Sequence, residues 1–221
     1  PLVDEHYYMK PTWFIANQKR YDSYDRSKSK VYLGEYASQG NTLFNAIAEA
    51  AYMTSLERNG DVVRLASYAP LLAKAGHTQW NPDMIYFNNS TLYYTPNYHV
   101  QKLFSTNHGD TYFQHVIAPA ESKADSTTAF SCVRDSKSGD VTVKFVNYSK
   151  NEQKLKVDLS QFKNLSSKAT LTILTGAPEA KNSFEEPTKV LPVSSDFKAG
   201  KSFIYSTKPM SLTVIRIKSK K

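Results

Sequence analysis

Three clusters of side chains in this sequence have the types and spacing to do chemistry. The first is Glu35, the single carboxylate in the apolar run Val31-Tyr-Leu-Gly-Glu-Tyr-Ala-Ser38. Parallel α/β sheets place their chemistry where a strand feeds a helix, so Glu35 reads as a catalytic carboxylate. By strict alternation it shares a face with Val31 and Leu33, where an unpaired carboxylate costs several kcal/mol unless the site is polar and used. The second cluster is Asp4-Glu-His-Tyr-Tyr8. A two-residue period puts Asp4, His6 and Tyr8 on one face and Glu5 and Tyr7 on the other. His6 and Tyr8 can then orient a carboxylate on a neighbouring strand and keep it ionised. The third is Trp80 ahead of Asn81-Pro-Asp83. A ring that stacks on C–H faces beside an amide or carboxylate suits a sugar, and Trp80 equally suits the capping of a barrel end.

Other chemistries lack their signatures. The histidines at 6, 77, 99, 108 and 115 show no H-x-x-x-H or H-x-x-E spacing, which argues against zinc. No G-x-S-x-G or Cys–His signal suggests a serine or cysteine hydrolase, and no G-x-G-x-x-G turn suggests a nucleotide. The single cysteine, Cys132, forbids an internal disulfide. No apolar run approaches the ~20 residues that span a bilayer, so no membrane partner is expected.

The elements that must position these residues change character along the chain. In the first half, strands are expected at 2–8, 31–35, 62–68 and 84–87, with a loop or short helical stretch over 11–24. Helices are expected at 42–58 and 96–107. The first helix opens at Gly40-Asn41 and stops at Asn59-Gly60. Its apolar positions Leu43, Phe44, Ile47, Ala48 and Ala51 give one buried stripe, with Glu49 and Glu57 solvated or paired. Such β–loop–α repeats indicate a parallel α/β layer, either a barrel or a doubly wound sheet. In the second half, short alternating strands at 128–133, 140–147, 153–158, 169–175, 189–193, 201–205 and 211–217 indicate an antiparallel sandwich.

Charge supports the division. The chain carries 28 Lys+Arg against 20 Asp+Glu, a net charge of +8, and all of the excess falls after residue 110. The domains are therefore expected at 1–110 and 111–221. Most of the excess is lysine scattered singly along strands, and only Lys218-Ser-Lys-Lys221 clusters. A solvated basic face, with no nucleic-acid partner, is the reading. Aromatic content of 13%, with 15 tyrosines, suits either carbohydrate surfaces or ordinary β-rich packing.

The ordered series Asp4-Glu-His-Tyr-Tyr8, Tyr21-Asp-Ser-Tyr-Asp-Arg26, Lys30-Val-Tyr-Leu-Gly-Glu-Tyr-Ala-Ser38 and Gly40-Asn-Thr-Leu43 resembles the α-L-arabinofuranosidases of glycoside hydrolase family 51. The likeness continues through Ala48-Glu-Ala-Ala-Tyr-Met53, Leu56-Glu-Arg-Asn59, Ala66-Ser-Tyr-Ala-Pro-Leu-Leu72 and Trp80-Asn-Pro-Asp-Met-Ile-Tyr-Phe87. It implies α/β plus all-β architecture, the C-terminal part of a (β/α)8 barrel followed by a jelly-roll-like β-sandwich. It also implies a retaining hydrolase that releases terminal α-L-arabinofuranosyl residues from arabinans or arabinoxylans without metal or cofactor. Glu35 would be the nucleophile on the seventh barrel strand. His6 and Tyr8 on the sixth would contact nucleophile and sugar, and Asp83 would lie near the eighth-strand amide.

The sequence opens inside a strand-like segment, so the acid/base glutamate and the rest of the barrel are expected upstream, and the chain alone is expected to be inactive. The polymers named favour an extracytoplasmic location, secreted or periplasmic. Homo-oligomerisation stays open. Another retaining barrel glycosidase and a non-catalytic carbohydrate-binding or structural fragment are the alternatives.

Overall fold

The computed structural model describes residues 1–120 and 127–219. The alternation of the first segments becomes a three-stranded parallel sheet, ordered β1 (Leu2–Met9), β2 (Lys30–Ser38), β3 (Val63–Tyr68). Between β1 and β2 run α1 (Pro11–Ala16) and a 3-10 turn, Arg20–Ser23. Between β2 and β3 runs α2 (Leu43–Arg58), started by a reciprocal cap in which Asn45 N–H donates to Thr42 Oγ1 and Thr42 N–H to Asn45 Oδ1. Gly40, with φ of +125°, makes the left-handed turn into it.

Val31, Leu33 and Tyr36 from β2 pack with Phe14, Tyr21, Ala48 and Tyr52 to form the core of this layer. A single stripe on α2 is not what is found: Leu43 and every residue from Asn45 to Ser55 are buried. The sheet and α1 account for part of this. The segment Gly176–Leu191 meets the start of the helix, where the carbonyls of Ala180 and Pro178 accept the N–H groups of Leu43 and Phe44. A small sheet of β4 (Leu72–Lys74), β5 (Ile85–Phe87) and β6 (Leu92–Tyr94) precedes α3 (Pro96–Thr106).

The chain divides into two compact units, Pro1–Lys102 with Gly176–Leu191, and Leu103–Thr175 with Pro192–Lys221. This differs from a single cut at residue 110, since a late segment rejoins the first unit through backbone hydrogen bonds that leave no mark on composition. The second unit is a sandwich of antiparallel sheets. It contains β7 (Thr111–Tyr112), β8 (Ile117–Pro119), β9 (Thr128–Arg134), β10 (Val141–Asn147), β11 (Gln153–Asp158), β12 (Leu165–Thr175), β13 (Val193–Lys198), β14 (Ser202–Thr207) and β15 (Ser211–Ser219). One sheet is ordered β13-β12-β15-β10-β9-β7 and the other β14-β11-β8, with Val143, Phe145, Leu155, Val157 and Ile215 between them. The strand expected at 189–193 lies at Val193–Lys198 instead.

Lysines 154, 156, 168, 198 and 201 are exposed, as a solvated face requires. Lys144 differs: it is fully buried, donates to the Asn107 carbonyl at 2.8 Å and lies 5.1 Å from the Phe104 ring. Lys220 and Lys221 of the terminal cluster lie outside the described residues. Among the described residues no helix is long and apolar enough to cross a membrane.

Candidate active site

Glu35 does not share a face with Val31 and Leu33. The β1–β2 register pairs Glu5 with Leu33 and then His6 with Glu35, so Gly34 is an extra residue in β2. Such a bulge inverts the alternation. Val31, Leu33 and Tyr36 are buried in the helix-facing core, whereas the Glu35 side chain stands on the other face, 43% exposed. A glycine inside a strand is itself a signal for a bulge or a close backbone approach, and it was the cue that strict alternation overlooked.

The bulge delivers Glu35 to the residues on the matching face of β1. The Tyr8 hydroxyl donates to Glu35 Oε2, and His6 Nδ1 lies 3.7 Å from the same oxygen. Burial first, then the hydrogen bond and charge of Glu35, push the Tyr8 phenol well above its ordinary value. Tyr8 therefore stays a donor at any working pH. Trp80, 51% exposed, meets Tyr8 edge-on at 5.2 Å between ring centroids, which leaves much of its surface open. Glu35, His6, Tyr8 and Trp80 thus lie together.

Asp83 does not join them. It is 3% exposed, its carbonyl accepts from Asn41, its N–H donates to the Tyr86 hydroxyl, and burial raises its pKa. Among the described residues no three His, Cys, Asp or Glu side chains converge on a possible metal.

A model of the α-L-arabinofuranosidase C-terminal domain matches residues 20–211. The chain belongs to the family 51 α-L-arabinofuranosidases. It is 36% identical over 207 residues to a probable α-L-arabinofuranosidase A of Aspergillus oryzae, covering 89% of this chain and 30% of that protein. It is 62% identical over 109 residues to an extracellular exo-α-L-arabinofuranosidase of Streptomyces chartreusis, covering 49% of this chain and 13% of that one. An arabinose-bound family 51 α-L-arabinofuranosidase superposes with a TM-score of 0.90 at 34% identity, over 99% of this chain and 37% of that one. The chain spans less than a third of the curated relatives' length.

Other residues of the family motifs hold the scaffold together. Arg26 donates to the carbonyls of Tyr21, Asp22 and Tyr24 and to Asn59 Oδ1, and Arg58 bonds Asp22. These residues tie the β1–β2 connection to the end of α2.

Glu49, expected to be solvated or paired, is instead fully buried. Its Oε1 accepts the Ser38 N–H at 2.7 Å, three residues beyond Glu35 on the same strand. Burial pushes its carboxyl up to about 8, against hydrogen bonding from Ser38 and the nearby Asn97 and Gln101 side chains. The folded protein therefore holds a proton that the unfolded chain releases near 4.5. This contribution to stability is complete below about pH 4.5 and is lost as pH rises towards 8, by something on the order of 4 kcal/mol. Glu49→Gln keeps an acceptor for Ser38 and cannot ionise. Urea midpoints of the protein at pH 5 and pH 8 should differ less for Glu49→Gln than for the parent. Equal differences would contradict a neutral buried Glu49.

Proposed function

We propose that this chain forms part of a retaining, exo-acting α-L-arabinofuranosidase in which Glu35 is the nucleophile. The observation that carries the reading is the meeting of Tyr8 and His6 on one oxygen of Glu35. A donor phenol bonded to that oxygen, with an imidazole beside it, fixes the direction in which the carboxylate points. In this mechanism a Glu35 oxygen attacks the anomeric carbon while the acid/base glutamate protonates the departing glycosidic oxygen. The same glutamate then takes a proton from water, which attacks the anomeric carbon and frees arabinose and Glu35.

Retention requires the two carboxyl groups about 5–5.5 Å apart. The partner is assigned to a part of the protein outside these 221 residues, a reading supported by the share of its relatives that the chain covers. Parallel β1, β2 and β3, with helices on one face, suit the last strands of a (β/α)8 barrel. The sandwich of the second unit would follow it, and residues 1–221 alone would be inactive. Trp80 beside Tyr8 would supply a stacking face for sugar. The substrates would be arabinose-containing poly- or oligosaccharides, met outside the cytoplasm as for the Streptomyces relative named extracellular.

Labelling tests the assignment directly. A mechanism-based furanosyl inhibitor should attach to the peptide carrying Glu35 in the full-length enzyme, as read by mass spectrometry. Label on the peptides of Glu5, Glu49 or Glu57 would overturn it.

A further inference from the structure

Resting on Glu35 as nucleophile, we propose that Asp4 is a positioning residue for the reaction, and that residue 34 is glycine because the Asp4 carboxylate fills the space its side chain would need. Asp4 Oδ2 lies 3.1 Å from His6 Nε2. The other ring nitrogen, Nδ1, is the atom that faces Glu35. The second Asp4 oxygen, Oδ1, lies 2.1 Å from where a Cβ on Gly34 would stand, and His6 Nε2 lies 3.1 Å from that point. One carboxylate is thus held between the imidazole and the bulge that aims Glu35.

Stability does not account for this arrangement. Asp4 and His6 are both about half exposed, and exposed pairs contribute little. Orientation does. A half-exposed imidazole can turn about its Cβ–Cγ bond and present carbon in place of Nδ1. A carboxylate at Nε2 fixes the ring face, and with it the position of Nδ1 beside Glu35. Asp4 then acts through His6, as an aspartate that orients a histidine does in hydrolase triads, while Gly34 keeps the pocket for Asp4 open. The two residues come from different strands and share one purpose, the geometry at Glu35.

The test is a double-mutant cycle in the full-length enzyme, read as kcat and KM on an aryl arabinofuranoside with the unfolding midpoint measured alongside. Asp4→Ala should lower kcat by roughly tenfold, the scale of one hydrogen bond to a charged group, with KM and the unfolding midpoint little changed. Asp4→Asn keeps an acceptor oxygen for Nε2–H and should recover most of that loss. In a His6→Ala background, Asp4→Ala should cost almost nothing further, because the two act as a unit. Gly34→Ala should resemble Asp4→Ala or fold poorly, and Gly34→Ala with Asp4→Ala should fold and be no worse than Asp4→Ala alone.

An Asp4→Ala loss of unchanged size in the His6→Ala background overturns the positioning role. So does a full tenfold loss in Asp4→Asn. A Gly34→Ala defect that persists when Asp4 is removed overturns the reason given for the glycine. The coupling between Asp4 and His6 is read without reference to which carboxylate becomes labelled, so failure of the nucleophile assignment registers separately.

Discussion

Glu35→Gln in the full-length enzyme should lower kcat on an aryl arabinofuranoside by roughly 10⁴-fold, the scale seen when a covalent nucleophile is removed, while the unfolding midpoint stays within about 2 °C of the parent. The two side chains are nearly isosteric, and Glu35 is 43% exposed on the face away from the core, so little packing is at stake. Tyr8 can still donate to the amide oxygen. What would disappear is the charge that the proposed mechanism uses to attack the anomeric carbon. Glu35→Ala leaves room for a small anion, and added azide should restore part of the cleavage of an activated substrate. The product should be an arabinosyl azide of inverted configuration, since one displacement replaces two. If Glu35 were the acid/base, the nucleophile would remain and the azide adduct would keep the substrate's configuration. If Glu35 were structural, substitution would shift the unfolding midpoint and azide would do nothing. NMR of the azide product separates these outcomes.

The sequence made Glu35, His6 and Tyr8 legible because two short parallel strands with a period of two leave little freedom over which residues face each other. The same rule misplaced Glu35 on its own strand. Alternation counts residues, and the bulge at Gly34 removes one from the count. The stop of α2 was legible for a similar local reason, since Asn59 and its carbonyl partners act within one turn, whereas the Thr42–Asn45 cap was not read. Strands of three residues, Leu72–Lys74 and Leu92–Tyr94, were not, because three residues do not establish a period. Nor was the burial of Glu49, since a polar residue on a helix reveals its environment only once other elements, here Ser38 of β2 and Asn97 and Gln101 of α3, are set beside it. The burial of Asp83 was hidden in the same way. Residue type proposed a sugar contact, and the path of the loop turned the side chain inward.

Glu5 and Glu35 are both strand carboxylates of the first unit, yet they should respond to substitution in opposite ways. Glu5 points to the helix side of β1, where its carboxylate accepts from Tyr7, from Tyr21 at 3.0 Å and from Tyr24 at 2.9 Å. Arg20 Nε stands 3.6 Å away, and its guanidinium lies over the Tyr7 ring at 4.9 Å. The side chain is only 14% exposed. Burial, with the Glu5 charge adding to it, holds the Tyr7 and Tyr24 phenols above their ordinary value, so they remain donors. Glu5→Ala would leave these phenols without their acceptor and Arg20 without its counter-charge in a largely buried site. That should cost about 3–5 kcal/mol, and Glu5→Gln should cost less because one acceptor oxygen survives.

In neither variant does the lost group touch Glu35. The rate per folded molecule, obtained by titrating active sites with the furanosyl inhibitor, should stay within about twofold while the urea midpoint falls; hydrogen bonds act on what they touch. Glu35→Gln should show the reverse, a normal midpoint with almost no rate. A Glu5→Gln protein of parental stability that turns over orders of magnitude more slowly would exchange the two assignments. The bulge at Gly34 would then have to be explained without a nucleophile.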